Sequence, residues 1–368
     1  MTKQICQVLP RNTNYANIKA TSIDLFVSEL VRFSACTTTV MAEASGEPLD
    51  CGRFVPLPVS PMLQSFRRLR IIAGEIRRNR YDAVVVQQHI PSAHAINKAV
   101  RAPVILQRHN FIKGLQHSRP GSGFLRTGKI KALNQLAGLL FVSETLLASF
   151  ERDWPGVTIP RAVIYNGIDA ALWQSHMARQ PDILVVGRAV PEKGILEAAQ
   201  AIAAVLAMQP DWTTTFVLSE PSRNTAYFSQ IRATLASLGD RARLKLDQPF
   251  ALVKAQCESS AIAVIASKWQ EPFGRTCLEA HAGGAAVVSS GTGGLREISG
   301  DTALYVDAEQ PASIAAALHQ LIGDRDLRQN MAASGRARVC EKFDLRHIAA
   351  KFDVFCAGAG AKYYRSPV

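Results

Sequence analysis

Two glutamates, Glu271 and Glu279, stand in a short window that also holds a chain-breaking turn and the start of a helix. The run Pro-Phe-Gly at 272–274 separates them, which predicts that Glu271 lies on a loop and that Glu279 lies in the first turns of a helix beginning near Arg275. The free N–H groups at such a helix start bind anions, and carboxylates on either side can accept hydrogen bonds from hydroxyl groups. A nucleotide sugar, which places a diphosphate between two hydroxyl-bearing groups, matches this pattern.

The window from 269 to 297 resembles family 4 of the retaining glycosyltransferases, whose signature is two spaced glutamates, a small-residue helix, a hydrophobic strand and a Gly-Gly-x-x-Glu turn. The matching positions are Glu271, Phe273, Gly274, Leu278, Glu279, Ala280, Gly284, Val287, Val288, Gly293, Gly294 and Glu297. An ordered string of this length is far more specific than the spacing of two glutamates. The run EPFGRTCLEA is most similar to the branch that builds bacterial lipopolysaccharide cores. The resemblance implies an α/β protein of the GT-B fold, with two Rossmann-like doubly wound domains facing a cleft.

A second element, GRAVPEKG at 187–194, follows an apolar strand and precedes a predicted helix. It resembles the Gly-Arg and Lys-Gly element of the same family, which implies that Arg188 and Lys193 hold the donor diphosphate. The departing nucleoside diphosphate gains negative charge as the glycosidic bond breaks, and two fixed cations can stabilise that charge. We therefore expect no metal and no other cofactor.

The resemblance also implies a role for each remaining site residue. Glu279 would accept hydrogen bonds from the ribose, Glu271 would bind hydroxyls of the sugar, and His109, in the run QRHN after a predicted strand, would contact the donor sugar. The expected catalytic residues are Glu271, His109, Lys193 and Arg188, and the expected donor-binding residues are Arg188, Lys193, Glu271, Phe273, Gly274, Arg275, Thr276 and Glu279.

The first half of the chain alternates strand and helix patterns, which predicts a parallel doubly wound sheet. Its predicted strands are Ile5–Leu9, Thr37–Met41, Phe54–Leu57, Ala83–Val86, Val104–Leu106 and Leu139–Val142. Ligands bind at the carboxyl ends of such strands, which indicates the loops 10–17, 87–91 and 108–113. The first of these loops lacks the glycine pair usual in the family, but its asparagines tolerate left-handed conformations.

Residues 163–169, VIYNGID, resemble the strand and Asn-Gly turn that end the first domain of family members. A polar linker follows, and a fresh strand pattern starts at Asp182. We therefore predict an acceptor-binding domain at 1–174 and a nucleotide-sugar-binding domain at 175–343. The resemblance implies that a helix within 344–368 packs back on the first domain.

The basic character of the chain belongs to its first half. Of the net charge of +12, residues 1–170 contribute +10, with 21 Lys and Arg against 11 Asp and Glu. This bias suggests an acidic partner such as anionic lipid, a phosphorylated saccharide or nucleic acid. The stretch 62–80 has Met62, Phe66, Leu69, Ile72 and Ile76 at helical spacing and six arginines elsewhere on the wheel. It fits a helix on an anionic membrane surface and equally a helix that covers the sheet.

Several classes are disfavoured. No segment has the length and apolarity of a membrane span, the N-terminus lacks a signal-peptide layout, and seven cysteines without a C-x-x-C pair indicate reduced thiols and a cytoplasmic protein. Asp324 and Asp326 form a D-x-D, but they precede a helical pattern and suit its N-terminus better than a metal site. With 7% aromatic residues and no binding module, nucleic acid is a poor partner.

These patterns predict a retaining glycosyltransferase that moves a hexose from a GDP- or UDP-linked donor to a saccharide or lipid-linked acceptor, in lipopolysaccharide core or surface polysaccharide synthesis. No side chain stands out as a covalent nucleophile, so the resemblance implies front-face attack assisted by the leaving phosphate. The alternatives are a GT-B nucleotide-sugar epimerase and a non-catalytic binder of anionic polymers. The base, the sugar, the acceptor, the linkage and the oligomeric state are open at this stage.

Overall fold

A computed structural model describes residues 2–16, 20–58, 65–112, 123–174 and 179–363. The chain forms two compact units, of which unit 1 comprises Met1–Gly167 and Leu345–Val368 and unit 2 comprises Ile168–Asp344. The division falls a few residues before the boundary predicted near 175. Residues 175–178 of the predicted linker lie outside the described ranges, as do Asn17, Met62, Lys113 and 364–368 of other predicted segments.

The central strands of both units are rich in buried apolar residues, whereas the edge strands Arg53–Pro56, Arg161–Val163 and Ala242–Leu246 are more exposed. In unit 1 the strands are β1 Gln4–Val8, β2 Thr37–Ala42, β3 Arg53–Pro56, β4 Ala83–Gln87, β5 Val104–Arg108, β6 Gly138–Phe141 and β7 Arg161–Val163. In unit 2 they are β8 Gln180–Arg188, β9 Thr213–Ser219, β10 Ala242–Leu246, β11 Ser260–Ile265, β12 Ala286–Ser289 and β13 Ala303–Tyr305. All six strands predicted for the first half are present within a residue or two, and β7 joins them at the edge.

Helices connect the strands. Their bounds are α1 Ser22–Phe33, α2 Ser65–Arg78, α3 Ile90–Ala99, α4 Gly123–Asn134, α5 Glu144–Asp153, α6 Ile195–Leu206, α7 Thr225–Ala236, α8 Phe250–Ser259, α9 Arg275–Gly283, α10 Gly294–Ser299, α11 Pro311–Gly323, α12 Arg325–Lys342 and α13 Leu345–Tyr363. Asp324 caps α12, accepting a hydrogen bond from the backbone N–H of Leu327 at 2.8 Å, as its position in the sequence predicts.

The two sheets repeat one topology. Among the described residues the unit 1 sheet has the order β3-β2-β1-β4-β5-β6-β7 and the unit 2 sheet has the order β10-β9-β8-β11-β12-β13, with parallel neighbours throughout. In each sheet the strand order reverses once, between β1 and β4 in unit 1 and between β8 and β11 in unit 2. Ligands of doubly wound sheets bind in the crevice at the carboxyl ends of the strands at such a switch point.

The loop after β1 takes the conformation that its asparagines permit. Asn12 has a φ of 60°, in the left-handed region, where asparagine is among the residues that cost least. The backbone N–H of Asn12 also donates to Glu43 at 3.2 Å. The loop therefore contains a left-handed turn at Asn12 without a glycine.

Helix α2 differs from the predicted wheel in two positions. Ile72 and Ile76 are buried against the sheet as expected, but Phe66 is 81% exposed, and Arg68 is buried in an ion pair with Glu43 at 2.5 Å. The helix covers unit 1 with one face, while its opposite face presents Phe66 beside exposed arginines. Arg68 belongs to the interior and not to that face.

Helix α13 is an integral part of unit 1. The carboxylate of Asp353 accepts hydrogen bonds from the hydroxyl of Ser34 at 2.6 Å and from the backbone N–H of Ala35 at 2.8 Å. Gly138, at the start of β6, lies so close to the ring of Phe355 that an added Cβ would come within 2.8 Å of it. This residue of α13 thus occupies the space that a larger side chain on β6 would need.

Candidate active site

The end of β8 with the turn after it, and the loop after β11 with the start of α9, carry all the predicted site residues except His109. Arg188 ends β8, and Lys193 ends the short helical turn Pro191–Lys193 that follows. Glu271 lies in the loop after β11, and Glu279 lies in α9. Because β8 and β11 flank the switch point, the sheet places these side chains where ligands of this topology bind.

Lys193 and Glu271 form an ion pair. The Glu271 side chain is 8% exposed, and the hydroxyl of Ser267 donates a second hydrogen bond, of 2.6 Å, to the same carboxylate oxygen. The ammonium of Lys193 also lies 5.8 Å from the centre of the Trp269 ring. A buried carboxylate needs such partners, since an unpaired charge in the interior is strongly destabilising.

A second ion pair lies at the start of α9. Arg275 donates to Glu279 at 2.7 Å across one turn, and both side chains are nearly buried. Gly274 precedes the helix with a φ of 108° and supplies no side-chain cap. One acidic side chain thus precedes α9 in the chain and the other lies within it, and each already has a basic partner.

Close backbone contacts fix the positions of these loops. Gly194 has a φ of 62°, and a Cβ there would overlap the carbonyl oxygen of Ala266. The carbonyl oxygen of Glu192 accepts from the backbone N–H of Lys268 at 2.9 Å. The turn that carries Lys193 is therefore joined directly to the loop that carries Glu271.

The glycine pair at 293–294 supports the Glu271 loop from its other side. Gly293 has a φ of 59°, and a Cβ there would overlap the backbone of Glu271. The backbone N–H of Gly294 donates to the carbonyl oxygen of Glu271 at 2.8 Å, and a Cβ on Gly294 would come within 2.5 Å of the carbonyl oxygen of Phe273. No larger residue fits at either position without moving the carboxylate loop.

The remaining predicted donor-binding residues differ in how exposed their side chains are. Arg188 is 38% exposed and lies 4.0 Å from a carboxylate oxygen of Glu220, a distance at the limit of an ion pair. Thr276 is half-buried in the first turn of α9. Phe273 is 3% exposed and its ring packs edge-on against Phe343 at 5.8 Å, so it could meet a ligand only through its backbone.

His109 lies in unit 1, directly after β5. Its Nε2 lies 2.7 Å from Oε1 of Gln87, whose amide N–H groups donate to Gln7 at 2.8 Å and Gln107 at 3.2 Å. This orientation of Gln87 makes Nε2 the donor and leaves Nδ1 as an acceptor. Burial, and then the charge of Arg108, lowers the pKa of His109 to about 3, so the ring is neutral at neutral pH.

Helix α9 is anchored by a second neutral histidine. His281 is fully buried, its Nε2 lies 2.9 Å from the hydroxyl of Ser299, and burial followed by the charge of Arg338 lowers its pKa to about 3. Gly335 of α12 packs directly against the imidazole ring. His281 is therefore a packing residue of the site.

Three features of the site were not predicted from the sequence. Ser267, which donates a hydrogen bond to Glu271, cannot be recognised from the sequence as a site residue, because serines are common in loops. The ion pair between Lys193 and Glu271 joins residues far apart in the chain. The pair between Arg275 and Glu279 could have been found, since residues four apart on a helix are neighbours.

The described residues contain no cluster of three or more His, Cys, Asp or Glu side chains able to hold a metal ion. Within the same ranges no helix has the length and apolarity needed to cross a membrane.

Two family models together account for most of the chain. Residues 21–172 match the model described as Glycosyltransferase Family 4, and residues 174–338 match the model described as Glycosyl transferases group 1. The second match contains both ion pairs and the glycine turn. The first contains His109 and most of unit 1.

Named relatives are distant. Glycogen synthase of Mycobacterium tuberculosis is 34% identical over 194 residues, which cover 51% of this chain and 46% of that protein, so the chain spans about half the length of that relative. Alpha-maltose-1-phosphate synthase of Mycolicibacterium smegmatis is 25% identical over 361 residues, 88% of this chain and 92% of that protein. Among solved structures, Anabaena HepE in complex with UDP and glucose superposes with a TM-score of 0.76 at 16% identity, covering 96% of this chain and 99% of HepE. The fold is GT-B, as the sequence predicts.

The glycine pair at 293–294 leads to a testable prediction about stability. We expect Gly293→Ala to lower the free energy of unfolding by about 1–3 kcal/mol, because Cβ meets both an unfavourable φ and the backbone of Glu271. Gly323→Ala is the control, since a Cβ on Gly323 meets nothing within 4 Å. Urea denaturation compares the two variants with the parent. Equal stability of Gly293→Ala and Gly323→Ala would show that the turn does not constrain the loop.

Proposed function

The chain belongs to the glycosyltransferases of the group 1 and family 4 type, and on that premise we propose that it transfers a hexose from a nucleotide sugar, GDP- or UDP-linked, to a saccharide or lipid-linked acceptor. The observation that carries the proposal is the pair of acidic side chains, Glu271 just before α9 and Glu279 within it, each held by a basic partner. A helix amino end binds a diphosphate, and the carboxylates accept hydrogen bonds from the hydroxyls on either side of it.

In this proposal the ion pairs organise the donor. Glu279 binds the ribose and Glu271 binds the sugar, while Lys193 and Arg188 meet the diphosphate. The ammonium of Lys193 has three N–H donors, so it can keep its contact with Glu271 and also donate to a phosphate oxygen. The ion pair would then join the sugar-binding carboxylate to the leaving group.

The chemical step would retain the anomeric configuration by front-face attack. As the glycosidic bond breaks, its electron pair moves onto the phosphate oxygen, and the growing negative charge is stabilised by Lys193, Arg188 and the amino end of α9. A phosphate oxygen accepts the proton of the attacking hydroxyl. We propose that the reaction needs no metal, because Lys193, Arg188 and the amino end of α9 can donate hydrogen bonds to the phosphate oxygens on which the charge develops.

The neutral ring of His109 fits a binding role and not proton transfer. With a pKa of about 3 it carries no charge at neutral pH. Its Nδ1 can accept a hydrogen bond from a sugar hydroxyl, as the family resemblance implies. The buried glutamine that bonds Nε2 fixes this tautomer.

For the acceptor we propose lipopolysaccharide core or another surface polysaccharide, which the run EPFGRTCLEA favours. The full-length similarity to a synthase of maltose 1-phosphate favours a second candidate, a soluble sugar phosphate. A GT-B nucleotide-sugar epimerase is a further alternative. It would release a modified nucleotide sugar without consuming an acceptor, which chromatography of the products distinguishes.

We also propose that unit 1 contacts an anionic membrane surface through α2. Phe66 and four arginines, Arg67, Arg70, Arg77 and Arg78, are exposed on this helix. Arg68 takes no part, since it is buried. A cationic helix face with an exposed aromatic side chain is typical of peripheral membrane contact.

The assignment of one carboxylate to each end of the donor is testable by calorimetry. Glu279→Ala should weaken UDP or GDP and the intact nucleotide sugar by similar factors, about ten- to a hundredfold, because both ligands carry the ribose. Glu271→Ala should leave the affinity for the nucleoside diphosphate nearly unchanged and weaken only the nucleotide sugar. The two variants are controls for each other. Binding of none of the nucleotide sugars by the parent would contradict the proposed function itself.

Lys193→Ala should lower kcat of donor hydrolysis by about a hundred- to a thousandfold, because the charge that Lys193 meets grows toward the transition state. Lys268→Ala is the matched control, since Lys268 is similarly half-buried but pairs with Glu197, away from the carboxylates of the site. A Lys193→Ala enzyme with unchanged kcat and only a raised KM would contradict this role. Loss of parent activity with a chelator, restored by divalent metal, would contradict the metal-free step.

Replacing Arg67, Arg70, Arg77 and Arg78 with Gln should abolish most cosedimentation with phosphatidylglycerol vesicles, because each basic contact contributes about 1 kcal/mol. The control removes the same charge from other exposed positions, Arg223, Arg232, Arg325 and Lys351. Equal binding by both quadruple variants would show that net charge, and not α2, attracts the vesicles.

A further inference from the structure

A tryptophan lies exposed beside the ion pair of Lys193 and Glu271. Trp269 belongs to the loop after β11, two residues before Glu271, and 37% of its surface is exposed. The other three tryptophans of the chain are buried, namely Trp154, Trp173 and Trp212. Exposing so large an apolar side chain to water is unfavourable, and a ligand that covers it gains binding free energy.

Hydrogen bonds on both sides hold the backbone of this loop in place. Before Trp269, the backbone N–H of Lys268 donates to the carbonyl oxygen of Glu192 at 2.9 Å. After it, the carbonyl oxygen of Glu271 accepts from the backbone N–H of Gly294 at 2.8 Å. The loop therefore fixes the point from which the indole extends, and it does so without any ligand.

The indole also contacts the cation of the site. The ammonium of Lys193 pairs with Glu271 and lies 5.8 Å from the centre of the Trp269 ring, within the distance of a cation–π interaction. In the proposed function Glu271 binds the sugar and Lys193 meets the diphosphate. In that function the indole therefore lies where the sugar and the diphosphate of the donor join.

A hexose offers two kinds of surface to a binding site. Its hydroxyls lie mostly around the edge of the ring, and a carboxylate such as Glu271 accepts hydrogen bonds from them. Its C–H groups form apolar faces, which a flat aromatic side chain can cover and remove from water. The loop between β11 and α9 contains two aromatic residues, and Phe273 is buried. Trp269 is thus the one that can cover such a face.

We propose that Trp269 is a specificity-determining residue, which stacks its indole on a C–H face of the transferred hexose while Glu271 binds hydroxyls at the edge of the same ring. This inference rests on the proposed function. It adds an apolar contact that a nucleoside diphosphate alone cannot make. A hexose with a bulky polar substituent on the stacked face binds less tightly, because that substituent separates the indole from the C–H groups.

Acrylamide quenching of tryptophan fluorescence tests this contact, because the other three tryptophans are buried. In the full chain the readily quenched fluorescence should belong to Trp269 and should be lost in Trp269→Phe. Saturating UDP-glucose or GDP-mannose, whichever the parent binds, should protect this fluorescence from acrylamide. UDP or GDP alone should leave most of it accessible, because neither carries a hexose.

Calorimetry measures what the contact contributes to affinity. Trp269→Leu should weaken the nucleotide sugar by about three- to tenfold, as expected for loss of an aromatic contact, and leave the affinity for the nucleoside diphosphate unchanged. Trp269→Phe keeps an aromatic ring and should bind the nucleotide sugar more tightly than Trp269→Leu. Met208→Ala is the control, since Met208 is 65% exposed in the same unit but follows α6, where the chain approaches the amino end of β9.

Three results would overturn the inference. Equal protection by the nucleoside diphosphate would show that the indole meets the nucleotide. Equal weakening of both ligands by Trp269→Leu would show that Trp269 acts by holding Lys193, which the diphosphate contacts. Unchanged quenching when the nucleotide sugar binds would show that the indole meets no part of the donor. Binding of no UDP- or GDP-linked hexose by the parent would instead contradict the proposed function, and calorimetry identifies that case without the tryptophan signal.

Discussion

The proposed donor site depends on three glycines at which one loop backbone lies directly against another. At Gly194 the neighbour is the end of β11, and at Gly293 and Gly294 it is the loop containing Glu271 and Phe273. A side chain at any of the three would need the space that the neighbouring backbone occupies. These backbone contacts therefore set how near the turn that carries Lys193 lies to the loop that carries Glu271.

Ion pairs then stabilise the two carboxylates that these loops position. Glu271 and Glu279 are nearly buried, and isolated carboxylates there would cost several kcal/mol. Each is held by a basic residue of the same unit, so the site is rigid and electrically balanced without any ligand contact. The balance is also what makes it selective, since a ligand must offer each carboxylate hydrogen-bond donors and each cation an acceptor in the same arrangement.

The sequence predicts the repeating parts of the fold well and the side-chain pairings less well. Hydrophobic runs locate the first six strands, and the sequence predicts that Asp324 caps a helix, because strand burial and helix capping are local properties. The exposure of Phe66 and the burial of Arg68 reverse the simple wheel for α2. The burial of Arg68 depends on its ion pair with Glu43, which is remote in sequence and directly follows β2. The ion pair of Lys193 and Glu271 cannot be predicted for the same reason, because its two residues are far apart in the sequence.

The inclusion of α13 in unit 1 has a consequence for synthesis on the ribosome. Unit 2 is contiguous in the chain, so all of its residues are available once Asp344 has emerged. Unit 1 begins first but cannot be completed until Asp353 reaches Ser34 and Phe355 covers Gly138. Domains are often completed in the order in which they are translated; here the unit that starts the chain is the last to close. Until that moment only solvent, or a chaperone, can cover the surface of unit 1 that α13 will occupy.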